Sequence, residues 1–274
     1  MSRLGRQGQP ARNGSAPATT VGLLFSDVVG NDPSVIGSGP TVPDESTYED
    51  ALAVAERYSL GLPTSVRDYL EAGRDGRQRE TPGLENGTFE HVSNVVLVEG
   101  YDALDAARSV AKDQGYQPLV LSSRLEGEAQ EVGAMHAAIA EEVRATGNPI
   151  SPLAVLISGG ETTVTVRGDG VGGPNQEFGL AAALAGGDQA MVVVAVDTDG
   201  IDGASNAAGA IVRPDTVTPM GEAQRALATN DVTTFLAERD ALVLTGPTGT
   251  KSVTFVLSWS LSGIRALSRP FPSA

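Results

Sequence analysis

Short apolar runs alternate with amphipathic segments along most of the chain. The runs are rich in Val, Leu and Ile, a composition typical of strands that are buried on both faces. The amphipathic segments place apolar residues at helical spacing, and several end at a glycine, as helices commonly do. The pattern predicts strands at 21–30, 95–100, 118–123, 153–160, 191–200 and 241–246, and helices at 48–60, 64–72, 101–114, 128–145, 175–185, 219–229 and 231–238.

This alternation predicts an α/β fold with mostly parallel sheets covered by helices. The stretch 95–123 reads as strand, helix, strand and predicts one βαβ unit. Ligands of open α/β sheets bind at the carboxyl ends of the strands, so we look for chemistry in the loops that follow the strands. The domains we expect are a disordered segment at 1–19, a partial α/β domain at 20–150, a second α/β domain at 151–250 and an atypical tail at 251–274.

Composition excludes several classes of protein. The 274 residues carry 19 Lys plus Arg against 34 Asp plus Glu, a formal net charge of -15, which does not fit a nucleic-acid-binding protein. No apolar run reaches the roughly 18 residues of a membrane-spanning helix. The absence of cysteine excludes disulfides and thiolate metal sites. Residues 1–19 contain arginines but no apolar stretch, so we expect no secretory signal and a cytoplasmic protein.

The charge is unevenly distributed. Residues 1–19 hold three Arg and no acid, and residues 251–274 hold Lys251, Arg265 and Arg269 and no acid. The body between them therefore carries 13 - 34 = -21. Dense carboxylates keep a protein hydrated where salt screens their mutual repulsion, so we predict a protein adapted to high salt. An ordinary acidic protein is the alternative.

Two glycine-containing strings could bind an anion. SGGETT (158–163) follows a buried strand, where backbone N–H groups can approach a phosphate closely; a plain turn between strands is the alternative. GDGVGGPNQE (168–177) leads into a helix whose first N–H groups would attract a phosphate or a carboxylate. Ordinary capping, with Asn175 as the cap and Pro174 before it, is the alternative there.

The string DTDGIDG (197–203) places Asp197, Asp199 and Asp202 within six residues at the end of a buried strand. Carboxylates held this close repel each other unless they share a cation or a proton. They could bind Mg²⁺, or one of them could take a proton from a hydroxyl nucleophile. An Asx-turn loop without chemistry is the alternative.

Other strand ends carry weaker signals. SDVVGNDPSVIGSGPTVPD (26–44) is either a rigid binding loop, with Asp27 and Asp32, or a simple crossover. TGPTGT (245–250) could donate backbone and hydroxyl hydrogen bonds to a ligand. His136 lies inside a predicted helix, where we interpret it as packing or solvent-facing rather than catalytic.

Read together, four strings resemble the glycerate 2-kinase family, whose C-terminal part is the MOFRL domain. They are SDVVGNDPSVIGSGPTVPD, LISGGETTVTVRGDGVGGPNQE, VAVDTDGIDGASNAAGAIV and LTGPTGT, and they follow the family's order. The resemblance covers residues 21–250 and implies a MOFRL domain at 151–250. It also implies ATP-dependent phosphorylation of D-glycerate to 2-phosphoglycerate with Mg²⁺. Hydroxypyruvate reductase, an older label of some members, is less favoured because we identify no dinucleotide-binding fingerprint.

The resemblance also implies which residues form the site. Asp199 would orient or deprotonate the glycerate hydroxyl, and Asp197 would help to place the metal, although the two roles could be reversed. The binding residues implied for substrate and nucleotide are Ser158, Gly159, Gly160, Glu161, Asn175, Gln176, Glu177, Thr198, Asp202, Thr245, Gly246 and Thr248.

Three departures from the family pattern bear on activity. Pro174 stands where many relatives carry an arginine, which removes a cation from the predicted site. Relatives are longer at the N-terminus, so we expect a truncated chain, and the tail that starts at Lys251 does not resemble theirs. We therefore also consider a non-catalytic remnant, or a chain that needs a partner, either a homodimer or a complementing N-terminal fragment.

Overall fold

The computed structural model describes residues 18–84, 87, 89–187 and 191–250, and the backbone of 254–260. Its contacts divide the chain into two compact units between Val98 and Glu99, and each unit is described by itself. The predicted disordered segment lies outside the described residues up to residue 17, and so does most of the predicted tail. The predicted domain boundary at residue 150 stays a prediction.

The first unit contains a parallel pair of strands and two helices. Strand β1 pairs with β2 from Thr20 opposite Val92 to Phe25 opposite Val98. Helix α1 starts at a capping box, because Thr47 Oγ1 accepts from the Asp50 N–H and Asp50 accepts from the Thr47 N–H. The bounds are β1 Thr20–Phe25, α1 Tyr48–Arg57, α2 Thr64–Arg74 and β2 Val92–Val98.

Helices α1 and α2 pack against each other through one aromatic contact. Tyr48 is buried over Gly73 of α2, whose missing side chain leaves room for the ring. The Tyr48 hydroxyl donates to the carbonyl of Arg79 and lies 3.2 Å from the hydroxyl of Tyr69. This contact joins the helix pair to the segment that leads towards β2.

The second unit is a six-stranded sheet with helices on both faces. Its strand order is β3-β4-β8-β5-β6-β7. Strands β3, β4, β5 and β7 run in one direction, whereas β8 and β6 run antiparallel to their neighbours. The bounds are α3 Gly100–Asp113, β3 Gln117–Glu128, α4 Ala129–Thr146, β4 Ala154–Thr163, α5 Pro174–Gly186, β5 Met191–Asp197, β6 Gly209–Val212, α6 Met220–Ala228, α7 Val232–Ala237, β7 Leu242–Val243 and β8 Thr254–Ser260.

Strand β4 shows why both faces of this sheet are covered. Val155 and Ile157 point to one face, where they pack with Leu104 of α3. Leu156 points to the other face, where it packs with Phe178 of α5. Burying each of these side chains contributes roughly 1.5–3 kcal/mol, and the nearly continuous apolar run of β4 follows from this double burial.

The predicted α/β class is confirmed, with differences in the sheets. The predicted βαβ unit at 95–123 is wrong, because β2 pairs with β1 while β3 pairs with β4 in the other sheet. Strand β6 was predicted as loop; its four residues are too short for a periodic signal, and pairing with β5 and β7 defines it. Residues 254–260 of the predicted tail form β8, which lies between β4 and β5.

Candidate functional site

The carboxyl ends of the four co-directional strands lie at the same edge of the six-stranded sheet. Strand β5 ends there at Asp197, and β8 begins there at Thr254. Gly160 of β4 and Asp197 pair with Thr254 from its two sides. The sheet therefore brings SGGETT and DTDGIDG to the same edge although they are far apart in sequence.

Asp197 is an acid in an unfavourable position. Burial, with smaller contributions from the nearby carboxylates of Asp199, Asp202 and Glu161, raises its pKa to about 6. The Asp199 N–H opposes this rise by donating to Asp197 Oδ1 at 3.3 Å. A half-buried acid with three acidic neighbours favours a bound proton or a cation.

The 245–250 loop donates hydrogen bonds to the two residues that follow Asp197. The Thr248 N–H donates to the carbonyl of Asp199 at 3.0 Å, and the Thr248 hydroxyl donates to the carbonyl of Thr198 at 2.6 Å. The Thr250 hydroxyl donates to the same carbonyl at 2.9 Å. The hydroxyl of Thr198 itself is buried and has no hydrogen-bond partner among the described residues. A buried hydroxyl of this kind is suited to a ligand that supplies its partner.

Asp202 has a different environment from Asp197. It is fully buried, and its carboxylate accepts the backbone N–H groups of Asn175 and Gln176 at 3.0 and 2.9 Å. The side-chain amides of the same two residues also donate to it. Burial raises the pKa of Asp202, and these four hydrogen bonds offset only part of the rise. Asp202 therefore already occupies the α5 N-terminus, where a bound anion was one of the two interpretations.

Glu177 is the centre of a second buried network. Its carboxylate accepts from the amides of Gln130 at 2.7 Å and Asn230 at 2.8 Å. Asn230 in turn accepts from the backbone N–H groups of Arg167 and Gly168. Asn175, Gln176, Glu177 and Asp202 thus lie beneath the surface and hold the glycine-rich loop in place. Their predicted contact with a ligand stays a prediction.

The glycine-rich loop corrects one expectation. Gly168–Gly173 matches the G-x-G-x-x-G pattern between a strand and a helix, so the statement that no dinucleotide fingerprint is present was wrong. Here the glycines serve another purpose, because a side chain at Gly168 or Gly170 would overlap residues 229–231, and one at Gly173 would overlap Asp202. With the helix N-terminus held by Asp202, the geometry does not favour a bound pyrophosphate.

The SGGETT string belongs to strand β4, so the interpretation of it as a plain turn is wrong, whereas its predicted contact with an anion stays a prediction. Strand β4 runs through Thr163, because β3 is long enough to pair with it up to Glu128 opposite Thr163. Gly159 and Gly160 are buried between β3 and β8, whereas Glu161 is exposed. In this string the side chains of Glu161 and Thr163 are exposed, and the Thr163 hydroxyl already donates to the carbonyl of Gly127.

Ser158 and His136 form a buried pair beneath this edge. His136 Nδ1 lies 2.8 Å from the carbonyl of Val132, so that nitrogen carries the proton, and the Ser158 hydroxyl donates to Nε2 at 2.8 Å. The ring also packs edge-to-face on Phe178, with centroids 5.0 Å apart. The interpretation of His136 as a packing residue is confirmed, and burial lowers its pKa. Sequence reasoning missed its partner, since the two residues are 22 positions apart.

The donor set at the sheet edge suits one mode of magnesium binding. The described residues include no cluster of three or more His, Asp or Glu side chains that could hold a metal. Mg²⁺ commonly binds one or two carboxylates together with substrate phosphates and water. Asp197, with its raised pKa, and the neighbouring Asp199 fit that arrangement, whereas Asp202 is already committed to α5.

In the first unit, the 26–44 string lines a cavity of about 620 Å³. Asp32 lies at its wall, and the Ser34 N–H that donates to Asp32 lowers the pKa of that carboxyl. Asp44, also in the wall, accepts from the Ser46 N–H and from the Thr81 hydroxyl. Asp27 is not among the lining residues. The cavity is compatible with the interpretation of this string as a binding loop.

No helix in the described part of the chain has both the length and the apolar character needed to cross a membrane.

Two family models match the sequence. One is described as the MOFRL family and matches residues 154–253. The other is described as a domain of unknown function, DUF4147, and matches residues 6–71.

Several proteins are similar to most of this chain. A protein from Agrobacterium vitis, provisionally named a hydroxypyruvate reductase, is 43% identical over 85% of this chain and 53% of its own length. The D-glycerate 2-kinase of Thermotoga maritima is 40% identical over 85% of this chain and 55% of its own length. A glycerate kinase from Macaca fascicularis is 32% identical over 85% of this chain and 70% of its own length. The chain thus spans about half the length of the first two.

A solved structure is similar in fold as well as in sequence. The crystal structure of glycerate kinase from Thermotoga maritima matches with a TM-score of 0.75 and 37% identity. The match covers 90% of this chain and 58% of that one. The fold described above is therefore shared with a solved structure over nearly its whole described length.

Proposed function

The chain belongs to the glycerate 2-kinase family, and from this premise we propose that it carries part of a site for ATP-dependent phosphorylation of D-glycerate. The proposed product is 2-phosphoglycerate. The support is the kinase relatives together with one structural observation. At the sheet edge, the 245–250 loop donates hydrogen bonds to Thr198 and Asp199, and Glu161 lies near Asp197.

Phosphoryl transfer depends mainly on positioning and on neutralisation of charge, and this edge offers groups for both. In our proposal the Asp199 carboxylate accepts the proton of the glycerate 2-hydroxyl. That oxygen then bonds to the γ-phosphorus of ATP, and the bond from this phosphorus to the β–γ bridging oxygen breaks to release ADP. The substrates are held by the Thr198 hydroxyl, which has no hydrogen-bond partner in the described part of the chain, and by the exposed residues Thr245, Gly246 and Thr248.

A magnesium ion bound with ATP would supply positive charge to the phosphate oxygens. Asp197 would hold it, because a carboxylate with a raised pKa and acidic neighbours gains most from a nearby cation. The roles of Asp197 and Asp199 could be reversed, and their variants distinguish the two assignments.

In this proposal, four buried residues support the site without touching substrate: Asn175, Gln176, Glu177 and Asp202. Their hydrogen-bond networks hold α5 and the glycine-rich loop in position. Nothing in the described geometry favours the reductase alternative, because Asp202 occupies the helix N-terminus that a dinucleotide would use.

The proposal includes three further features from the sequence. It places the protein in the cytoplasm, and it treats the body charge of -21 as adaptation to high salt. It also includes a partner that completes the site, either a second copy or a complementing N-terminal fragment.

The test is a kinase assay in molar salt with ATP, Mg²⁺ and D-glycerate, scored for 2-phosphoglycerate by ³¹P NMR. We expect turnover with a partner that completes the site, and weak turnover or none by the chain alone. Asp199→Asn should reduce kcat at least 100-fold at saturating Mg²⁺, as loss of a general base does. Asp197→Asn should instead raise the Mg²⁺ concentration needed for half-maximal rate.

Asp215→Asn is the matched control, because Asp215 is exposed and distant in sequence from the edge. Undiminished turnover by Asp199→Asn would exclude the proposed proton acceptor. If the Mg²⁺ requirement changes in Asp199→Asn and not in Asp197→Asn, the two roles are reversed. If no combination of chain and partner forms 2-phosphoglycerate, the proposed activity is wrong.

A further inference from the structure

The segment 165–168, between β4 and the glycine-rich loop, is held by side chains although it belongs to no helix or strand. Asn230 accepts from the Arg167 N–H at 2.6 Å and from the next N–H at 3.1 Å, and its amide donates to the carbonyl of Thr165 at 3.4 Å. Glu128 accepts from the N–H and the hydroxyl of Thr165. Rigid support of this kind is what a binding residue on a loop requires.

The support continues into the buried network of Glu177. Asn230 also donates to the Glu177 carboxylate at 2.8 Å, and Glu177 is 1% exposed. A buried carboxylate is costly unless its oxygens are paired, and here Gln130 and Asn230 pair one oxygen each. The burial of Glu177 is therefore coupled, through Asn230, to the position of the Arg167 backbone.

The side chain of Arg167 is exposed, and within the described part of the chain its guanidinium forms no ion pair. This is unexpected in a sequence with 34 acidic and 19 basic residues. Asp231, which lies beside the same loop, accepts instead from the Val171 N–H and the Thr234 hydroxyl. A guanidinium on a fixed backbone is available to an anionic ligand, and its planar fork of N–H groups matches a carboxylate.

Arg167 lies at the same edge of the sheet as the acidic residues. It follows the carboxyl end of β4, and the Ala204 N–H donates to the Gly172 carbonyl at 3.2 Å, which joins the glycine-rich loop to the residue after DTDGIDG. In residues 99–250, Arg124 is the other basic residue that lies on a co-directional strand or directly after one. It lies on β3, which β4 and β8 separate from β5.

The proposed reaction brings two anions to this edge, ATP and the carboxylate of glycerate. In the proposed function a magnesium ion supplies positive charge to the phosphate oxygens, and the carboxylate still lacks a cation. Asp197, Asp199 and Glu161 would repel it. A basic side chain at this edge is therefore required for the carboxylate.

We infer that Arg167 binds the carboxylate of D-glycerate and so selects alcohols that carry a carboxylate. The inference rests on the proposed function for the identity of the substrate, and it adds the residue that recognises that substrate. Asn230 holds the backbone from which the guanidinium extends.

The affinity for D-glycerate measures this contact. Saturation-transfer NMR gives the Kd for D-glycerate of the full chain, alone and in any assembly that supports turnover. Steady-state kinetics of the active assembly give separate KM values for D-glycerate and ATP. We expect Arg167→Gln to weaken D-glycerate binding about 10- to 100-fold, as loss of a charge-assisted bidentate contact does, and to change the KM for ATP less than about threefold. Glycerol, which lacks the carboxylate, should bind parent and variant equally weakly.

Two further variants test the chemistry. Arg167→Lys should give an intermediate affinity, because lysine keeps the charge and loses the fork of N–H groups. Arg144→Gln is the control, since Arg144 is exposed in the last turn of α4, which leads to the start of β4 at the opposite edge. Because both arginines are exposed, neither change to Gln should shift the melting temperature of the ligand-free chain by more than about 2 °C.

Four outcomes would overturn the inference. D-glycerate may bind parent and Arg167→Gln equally; ATP affinity may fall more than D-glycerate affinity, which assigns the guanidinium to a phosphate; or Arg144→Gln may lose as much affinity, which shows a general effect of charge. The fourth is a parent that binds D-glycerate no better than glycerol in every form tested.

The proposed function is judged separately from this inference. Turnover with an unchanged KM for D-glycerate in Arg167→Gln would refute the inference alone. D-glycerate binding that is lost in Arg167→Gln, without turnover in any form of the parent, would refute the kinase activity alone.

Discussion

Replacing Asp197 with Asn tests whether β5 ends in a carboxylate that costs stability. Burial, together with nearby carboxylates, raises the pKa of Asp197 from 3.8 to about 6. An acid whose pKa is higher in the folded chain stabilises the fold when protonated, and this contribution is lost as the pH rises through 6. Above pH 7 the ionised carboxylate therefore destabilises the parent chain, whereas the amide of the variant stays neutral.

The size of the effect follows from the pKa change. A rise from 3.8 to about 6 is worth roughly 3 kcal/mol, at about 1.36 kcal/mol per pH unit. Asp197 is only half-buried, so solvent screens much of this energy, and we expect about 1 kcal/mol. In a protein of this size that corresponds to a change of about 2–4 °C in melting temperature.

Thermal melting followed by circular dichroism measures this difference at pH 8 and at pH 4, in the same salt. We expect Asp197→Asn to melt higher than the parent at pH 8 and close to it at pH 4, where the folded parent is protonated. Asp215→Asn, at an exposed position, should show no such pH dependence. The reasoning is refuted if Asp197→Asn melts below the parent at pH 8, or if its gain is the same at both pH values.

Two further predictions concern the buried interior. Burial lowers the pKa of His136 below 6.5, so the neutral imidazole stabilises the fold above pH 6.5 and this contribution is lost as the pH falls through the folded pKa. The free energy of unfolding, measured in urea, should therefore fall over this pH range in the parent but not in His136→Gln. An equal change of the free energy of unfolding with pH in the parent and in His136→Gln would contradict this prediction. Gly133→Ala should lower stability by about 1–2 kcal/mol, because its Cβ would lie within 2.5 Å of the Phe178 carbonyl oxygen where α4 crosses α5. Gly221→Ala in α6 is the control, because a Cβ at Gly221 meets open space, and it should be neutral or slightly stabilising. If Gly221→Ala loses as much stability as Gly133→Ala, the packing argument is wrong.

Sequence reasoning located most helices and strands because their signals are local. Helical spacing, the Thr47–Asp50 cap and the glycine after α4 are properties of a few neighbouring residues. The strand ends that carry DTDGIDG and TGPTGT were found for the same reason. Hydrogen bonds from Thr248 to the carbonyls of Thr198 and Asp199 join these two strings. The pairing of strands was not accessible in this way, which is why β2 and β3 were assigned to one βαβ unit.

The roles of the acidic residues were decided by distant partners. Asp197 and Asp202 are five positions apart and look alike in the sequence. Asp202 meets Asn175 and Gln176, more than twenty-five residues away, and becomes a buried cap for α5. Asp197 is half-buried at the end of β5, where burial and smaller contributions from nearby carboxylates raise its pKa to about 6, and among the described residues no hydrogen bonds from α5 hold it in place as they hold Asp202.

The sequence by itself determined the α/β class, the order of most elements and the strand ends where chemistry could lie. Tertiary structure decided which carboxylate is buried as a cap for α5 and which one stays half-buried at the sheet edge. The physical reason is that periodicity and capping act within one or two turns of chain. Burial, by contrast, depends on whichever distant groups the fold brings into contact, and burial sets the pKa and the accessibility of each side chain.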